Sequence, residues 1–126
     1  MSVQFTQACY VLAVHDVEAS QQHYVDSLAF EPLDIDAPGW RFVSRGPVRI
    51  DMGECTGAIP PGDLGDHNWF ARIFVDDLDA YALEISGRGA DVIAYPADKP
   101  WGLREMVVRT PDGHRLMFCQ ALSSRP

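Results

Sequence analysis

Four histidines, three cysteines and eighteen carboxylates are the groups with which this chain of 126 residues could hold a metal, move a proton or attack a bond. Their spacing argues against most of that chemistry. His15, His23, His67 and His114 form no HxH or HxxxH pair that would set two imidazoles on one face. His15 and His114 fall at strand-end turns and His23 off the apolar stripe of a helix, so a solvated setting is expected for them. Cys9, Cys55 and Cys119 lie far apart with no CxxC spacing, the pattern of isolated small hydrophobes rather than of a zinc or redox site. No serine stands in a GxSxG context, and Cys55 has no obvious base beside it. Residues 57–65 are rich in glycine but lack the lysine and the flanking helix of a phosphate loop. Asp51 and Glu105 are conceivable as base and acid, yet the sequence sets no distance between them.

Binding groups are better represented than catalytic ones. Trp40, Trp69 and Trp101 fall at strand beginnings or turns, where a large ring serves either as a wall for a flat organic ligand or cation, or as a seal on a core or subunit contact. The net charge of −8 repels phosphate backbones, which argues against nucleic acid, and would draw a cationic guest. Neither an apolar leader with a basic flank nor a long uncharged apolar run is present, so no membrane partner is expected and the cytoplasm is the default compartment.

The elements that must position these residues come in two similar sets. Val14-His15-Asp16-Val17 and Val75-Asp76-Asp77-Leu78 each close an apolar run and open a helical pattern, about half a chain length apart. Such an internal duplication tends to enclose a shared cleft. In the first unit Val11 to Val14 reads as a strand and Asp16 as a helix N-cap. Val17, Gln21, Tyr24, Val25 and Leu28 then form an apolar stripe running to about Ala29. Strands are expected over 30–36, 40–44 and 48–52, separated by Pro38-Gly39 and Gly46-Pro47. The second unit repeats the order: a strand over 69–75, an Asp77 N-cap, and a stripe of Leu78, Tyr81, Ala82 and Ile85 ended by Gly87 or Gly89. Strands over 91–95, 103–109 and 115–120 follow, the last pair joined by Pro111-Asp112-Gly113. A single domain of 126 residues is therefore expected, made of two βαβββ modules at about 5–55 and 67–121 with a Pro/Gly linker at about 56–66.

In this order and spacing, Val14-His15-Asp16-Val17-Glu18-Ala19-Ser20 with Tyr24 and Leu28-Ala29-Phe30, Val75-Asp76-Asp77-Leu78-Asp79-Ala80, and Pro100-Trp101-Gly102-Leu103-Arg104-Glu105 with Pro111-Asp112-Gly113-His114 resemble the vicinal oxygen chelate superfamily. That superfamily takes in glyoxalases, extradiol dioxygenases and fosfomycin- and bleomycin-resistance proteins, and the resemblance covers nearly the whole chain. It implies an α+β fold of two βαβββ modules with facing curled sheets, helices outside and a central cleft. Metal-using members hold a divalent ion with one side chain from the first and one from the last strand of each module. The matching positions here are Cys9, Asp51, Phe70 and Met117. Of these only Asp51 is a plausible oxygen ligand, so the resemblance points to a site with no metal and no other cofactor. The alternative is a divalent metal recruited through Asp51, His67 (three residues before Phe70) and one further group.

If the matched positions face inward, strand alternation places Val11 and Ala13 with Cys9, Arg49 with Asp51, Arg72 and Phe74 with Phe70, and Arg115 and Cys119 with Met117. Tyr10, Leu12, Ile73, Leu116 and Phe118 then pack under the helices. Asp51 in an apolar cavity requires a partner, with Arg49, Arg72, Arg104 or a bound cation as candidates. Trp40, Asp51, Trp69, Phe70, Arg72, Trp101, Arg104 and Met117 are the expected ligand-binding residues, and no catalytic residue is expected. The resemblance thus implies a metal-free, homodimeric protein of the bleomycin-resistance type that sequesters an aromatic or cationic organic molecule. A metal-dependent lyase, isomerase or dioxygenase is the second reading. A structural or interaction domain with a self-filled pocket is the third.

Overall fold

The computed structural model describes residues 2–122, apart from the side chains of Asp66 and His67. Two βαβββ modules follow one another. The first contains β1 (Tyr10–Val14), α1 (Val17–Leu28), β2 (Glu31–Leu33), β3 (Trp40–Arg45) and β4 (Val48–Glu54). The second contains β5 (Trp69–Phe74), α2 (Leu78–Ile85), β6 (Asp91–Asp98), β7 (Leu103–Arg109) and β8 (Arg115–Ala121). Each module forms a four-stranded mixed sheet, ordered β1-β4-β3-β2 and β5-β8-β7-β6, in which the first strand runs parallel to the last and the other pairs are antiparallel.

Both helices begin where the repeated phrase places them. The Asp16 carboxylate accepts the Ala19 N–H at 3.1 Å and the Asp77 carboxylate accepts the Ala80 N–H at 3.1 Å, each satisfying an otherwise orphaned first-turn donor. The first helix ends on Ala29, which takes a left-handed conformation with φ 60°. The second ends earlier than Gly87, on Ser86 in a right-handed conformation.

Strand alternation sorts each sheet into two faces. Leu12, Val14, Val43, Ile50 and Met52 pack beneath α1, and Ile73, Met106, Val108, Leu116 and Phe118 beneath α2, in one continuous core with Tyr24, Leu28, Leu78, Tyr81 and Ile85. The opposite faces stay open: Val11 is 61% exposed and Phe74 58%. Within one chain the sheets are not closed onto each other. The modules meet where Tyr10 Oη donates to the Arg72 carbonyl across from β1 to β5, at 2.9 Å. Tyr81 Oη likewise donates to the Leu28 carbonyl at 2.8 Å, and Arg45 grips Glu84 with two bonds of 2.8 and 2.9 Å.

The expected linker has structure of its own. Pro61–His67 winds into a 3₁₀ segment that packs on the β7–β8 turn, with the Gly62 N–H donating to the Asp112 carbonyl at 3.2 Å. His114, which follows that turn and meets the Phe70 ring, is 2% exposed, which corrects the expectation of a solvated turn histidine. Burial lowers the pKa of both His114 and His23 from the ordinary 6.5. A base whose folded pKa is depressed contributes its full stability above the unfolded value and loses it as pH falls through the folded one. Stability should therefore decline below pH ~6.5, by at most about 1.4 kcal/mol per pH unit for each histidine. Urea unfolding at pH 7.5 and 5.5 checks this, and His23→Gln should flatten part of the slope.

Candidate functional site

The open face of the first sheet is built around an aromatic ring laid flat on the strands. Trp40 pairs with Gly53 across β3 and β4, and a Cβ at residue 53 would lie 2.9 Å from the Trp40 ring. The missing side chain is what lets the indole lie down there. Its neighbour Phe42 stacks beside it, centroids 6.4 Å apart and planes 14° from parallel, and the Arg49 guanidinium covers Phe42 at 5.2 Å. Arg49 Nε also donates to Asp51 Oδ1 at 2.7 Å, so Arg49 is the partner that Asp51 requires. Cys9 Sγ lies 3.7 Å from the other Asp51 oxygen.

The second sheet carries a different construction at the equivalent place. Glu105 pairs with Cys119 on β7 and β8, as Trp40 pairs with Gly53, so a carboxylate occupies the indole's position and a thiol the glycine's. Glu105 is 5% exposed, and its Oε2 accepts both Arg72 Nη1 at 2.9 Å and Trp101 Nε1 at 2.7 Å. The buried charge is thereby satisfied, and it pins the otherwise exposed Trp101 ring as a wall. Cys119 lies fully buried below, and burial pushes its thiol pKa up, which keeps it an inert thiol.

Beside this pair, Trp69, Phe70, Arg72 and Met117 come together with Tyr10 and Ala71 around a hollow of about 470 Å³. A register shift between Trp69 and Ala71 makes Phe70 a bulge residue. Trp69 consequently sits opposite Arg115 on the open face, with the Arg115 guanidinium 5.4 Å from its ring. Phe70 turns edge-on to His114, with ring centroids 4.5 Å apart.

The eight expected binding residues thus separate. Trp40 and Asp51 lie on the first sheet's open face, while Trp69, Phe70, Arg72, Met117 and Trp101 lie on the second's. Arg104 does not join them. It shares its face with Met106 and Val108, toward α2, where it is held by Asp79 at 3.0 Å and Asp98 at 2.9 Å, and this corrects its assignment to the site. Phe42 and Gly53 were not among the expected residues, and Glu105, considered there only as an acid, is instead the acceptor shared by Arg72 and Trp101. A glycine inside a strand pattern was the available signal for the first pair, since it marks close approach of another group.

The matched metal positions do not suit a divalent ion. Phe70 has no donor atom, Asp51 is engaged by Arg49, and among the described residues no three His, Cys, Asp or Glu side chains are grouped to hold a metal. The His67 side chain lies outside the described residues. Among the described residues no helix is long and apolar enough to cross a membrane.

Two sheets of this order, each with a helix on one face and an open aromatic face on the other, define a protein class that sequence comparison identifies independently. The chain belongs to the glyoxalase/bleomycin resistance protein/dioxygenase superfamily, whose sequence model matches residues 6–118. No curated protein sequence matches it. Among solved structures, it is 27% identical to a bleomycin-binding protein from bleomycin-producing Streptomyces verticillus, complexed with copper(II)-bleomycin, over 98% of this chain and 100% of that one, with a TM-score of 0.74. It is 26% identical to TnmS3, an antibiotic-binding protein from Streptomyces sp. CB03234, over 96% and 98% of the two chains, also with a TM-score of 0.74. The bleomycin resistance determinant encoded on transposon Tn5 shares the fold at 22% identity, over 93% and 98% of the chains, with a TM-score of 0.76.

Proposed function

We propose that this chain is a metal-free binding protein that sequesters an aromatic or cationic organic molecule of the antibiotic type, in the cytoplasm and without chemical change. The observation that carries the reading is the Trp40 indole, spread on Gly53 and 39% exposed on its sheet. A flat ring surface held in advance favours stacking at little ordering cost. The fixed charges nearby are already paired, as Arg49 with Asp51 and Arg72 with Glu105, and they orient a guest rather than react with it. The similarity to bleomycin- and antibiotic-binding structures supports the same class of guest. Two copies of the chain are proposed to assemble with their open faces toward one another, because the aromatic faces within a single chain are left uncovered.

Tryptophan-fluorescence titration with metal-free bleomycin and a panel of planar aromatic antibiotics tests the reading. Saturable quenching is expected for at least one compound. Trp40→Ala should weaken that binding by about tenfold to a hundredfold, the usual cost of truncating an aromatic anchor. No response across the panel, or a stoichiometric divalent metal in protein purified without chelator, would overturn it.

A further inference from the structure

The internal duplication shows a place that one module fills and the other leaves empty. At the start of α1 the space is occupied by the chain itself. The β7–β8 turn reaches over it, Asp112 Oδ1 accepting the His15 N–H at 3.1 Å, and the 3₁₀ segment packs on that turn through Gly62. The equivalent place at the start of α2 faces the β3–β4 turn, where only Gly46 and Pro47 separate the paired ends Arg45 and Val48. Asp76 holds the position of His15 in the repeated phrase, and no turn carboxylate is available to accept its N–H. A hollow of about 460 Å³ remains, a volume within the range of small-molecule sites.

Rings form part of its walls. Phe30, Phe74, Tyr81 and Phe118 line it together with Pro47, and the Phe74 ring is 58% exposed. The charges of its lining do not balance. Arg45, 5.3 Å from the Tyr81 ring, is neutralised by its two bonds to Glu84, which leaves the carboxylates of Asp76 and Asp77 as a net negative pair. The Asp77 carboxylate is engaged with the helix N–H of Ala80, so Asp76 is the one free to turn toward a guest. Aromatic faces beside uncompensated carboxylates favour a cation with an apolar body.

We propose that this hollow, which reaches the open face of the second sheet at Phe74 but shares no lining residue with the hollow beside Trp69 and excludes Trp40 and Trp101, is a second binding site for a small organic cation bearing an aryl group. It takes the place in the second module that the β7–β8 turn and the 3₁₀ segment occupy in the first. The proposal does not depend on what the sheet faces bind.

Amide NMR titration of the full chain with 2-phenylethylammonium tests it, with 2-phenylethanol and 3-phenylpropionate as uncharged and anionic comparators. Saturable shifts are expected at Phe74, Asp76, Ala80 and Tyr81, with the Trp40 and Trp101 indole signals unmoved. The alcohol should bind more weakly and the carboxylate not at all. Ala80→Phe, which fills the hollow, should abolish the shifts, and Asp76→Asn should weaken binding by about threefold to fivefold, the scale of one exposed charge. Asp76 is exposed, so this second variant stands as a test even if Ala80→Phe does not fold. Shifts confined to Trp40 and Trp101, equal binding of the alcohol, or no shift at millimolar ligand would each overturn the proposal.

Discussion

Gly113→Ala is expected to destabilise the protein by about 2–5 kcal/mol, a large share of the stability of a small domain. Two penalties combine. Residue 113 has φ +94°, where a side chain costs on the order of 1–3 kcal/mol in backbone strain. The new methyl would also be driven into the backbone N and Cα of Gly62, and overpacking of this kind costs a further ~1–3 kcal/mol. Gly39→Ala separates the two, because residue 39 has a similar φ of +80° with nothing within 4 Å of its Cβ position. Thermal melts of both variants should show the larger loss at position 113. Equal losses would mean that the 3₁₀ segment does not sit on the turn.

Removing Arg72 should expose the cost of burying Glu105. With its guanidinium partner gone, a carboxylate 5% exposed keeps, among the described residues, only the Trp101 N–H, and Arg72→Ala should cost about 2 kcal/mol at pH 7. This lies below the cost for a fully buried pair because the Arg72 side chain is 45% exposed and screened by solvent. Adding Glu105→Gln to Arg72→Ala should recover much of the deficit in urea unfolding at pH 7, since the amide leaves no charge stranded. A deficit that persists in the double variant would indicate lost packing rather than stranded charge.

The layout was legible where a local rule had no competitor. Asp16 and Asp77 announced both helices because a short carboxylate before an apolar stripe has one good use there. Alternation along β1 and β8 placed Leu12, Leu116 and Phe118 beneath the helices. The site was harder to read, since it depends on register between strands distant in the chain. Arg104 and Glu105 are adjacent residues on opposite faces of β7, and only the pairing of Glu105 with Cys119 decides which one looks outward. The bulge at Phe70 leaves no sequence signature, yet it brings Trp69 to the open face. His114 reads as a turn residue and is buried with the ring of Phe70, more than forty positions earlier, packed edge-on to it, a contact that no local pattern encodes.

Trp40 on Gly53 and Glu105 on Cys119 stand at matching places in the two halves, yet neither shares a side-chain contact with the other. Groups without shared partners contribute nearly independently. Each half can therefore change its own wall without disturbing the other: one is an indole laid on a glycine, the other an anchored indole above a buried charge. If the chain binds as proposed, its selectivity changes one wall at a time, and a single scaffold so diversifies without refolding.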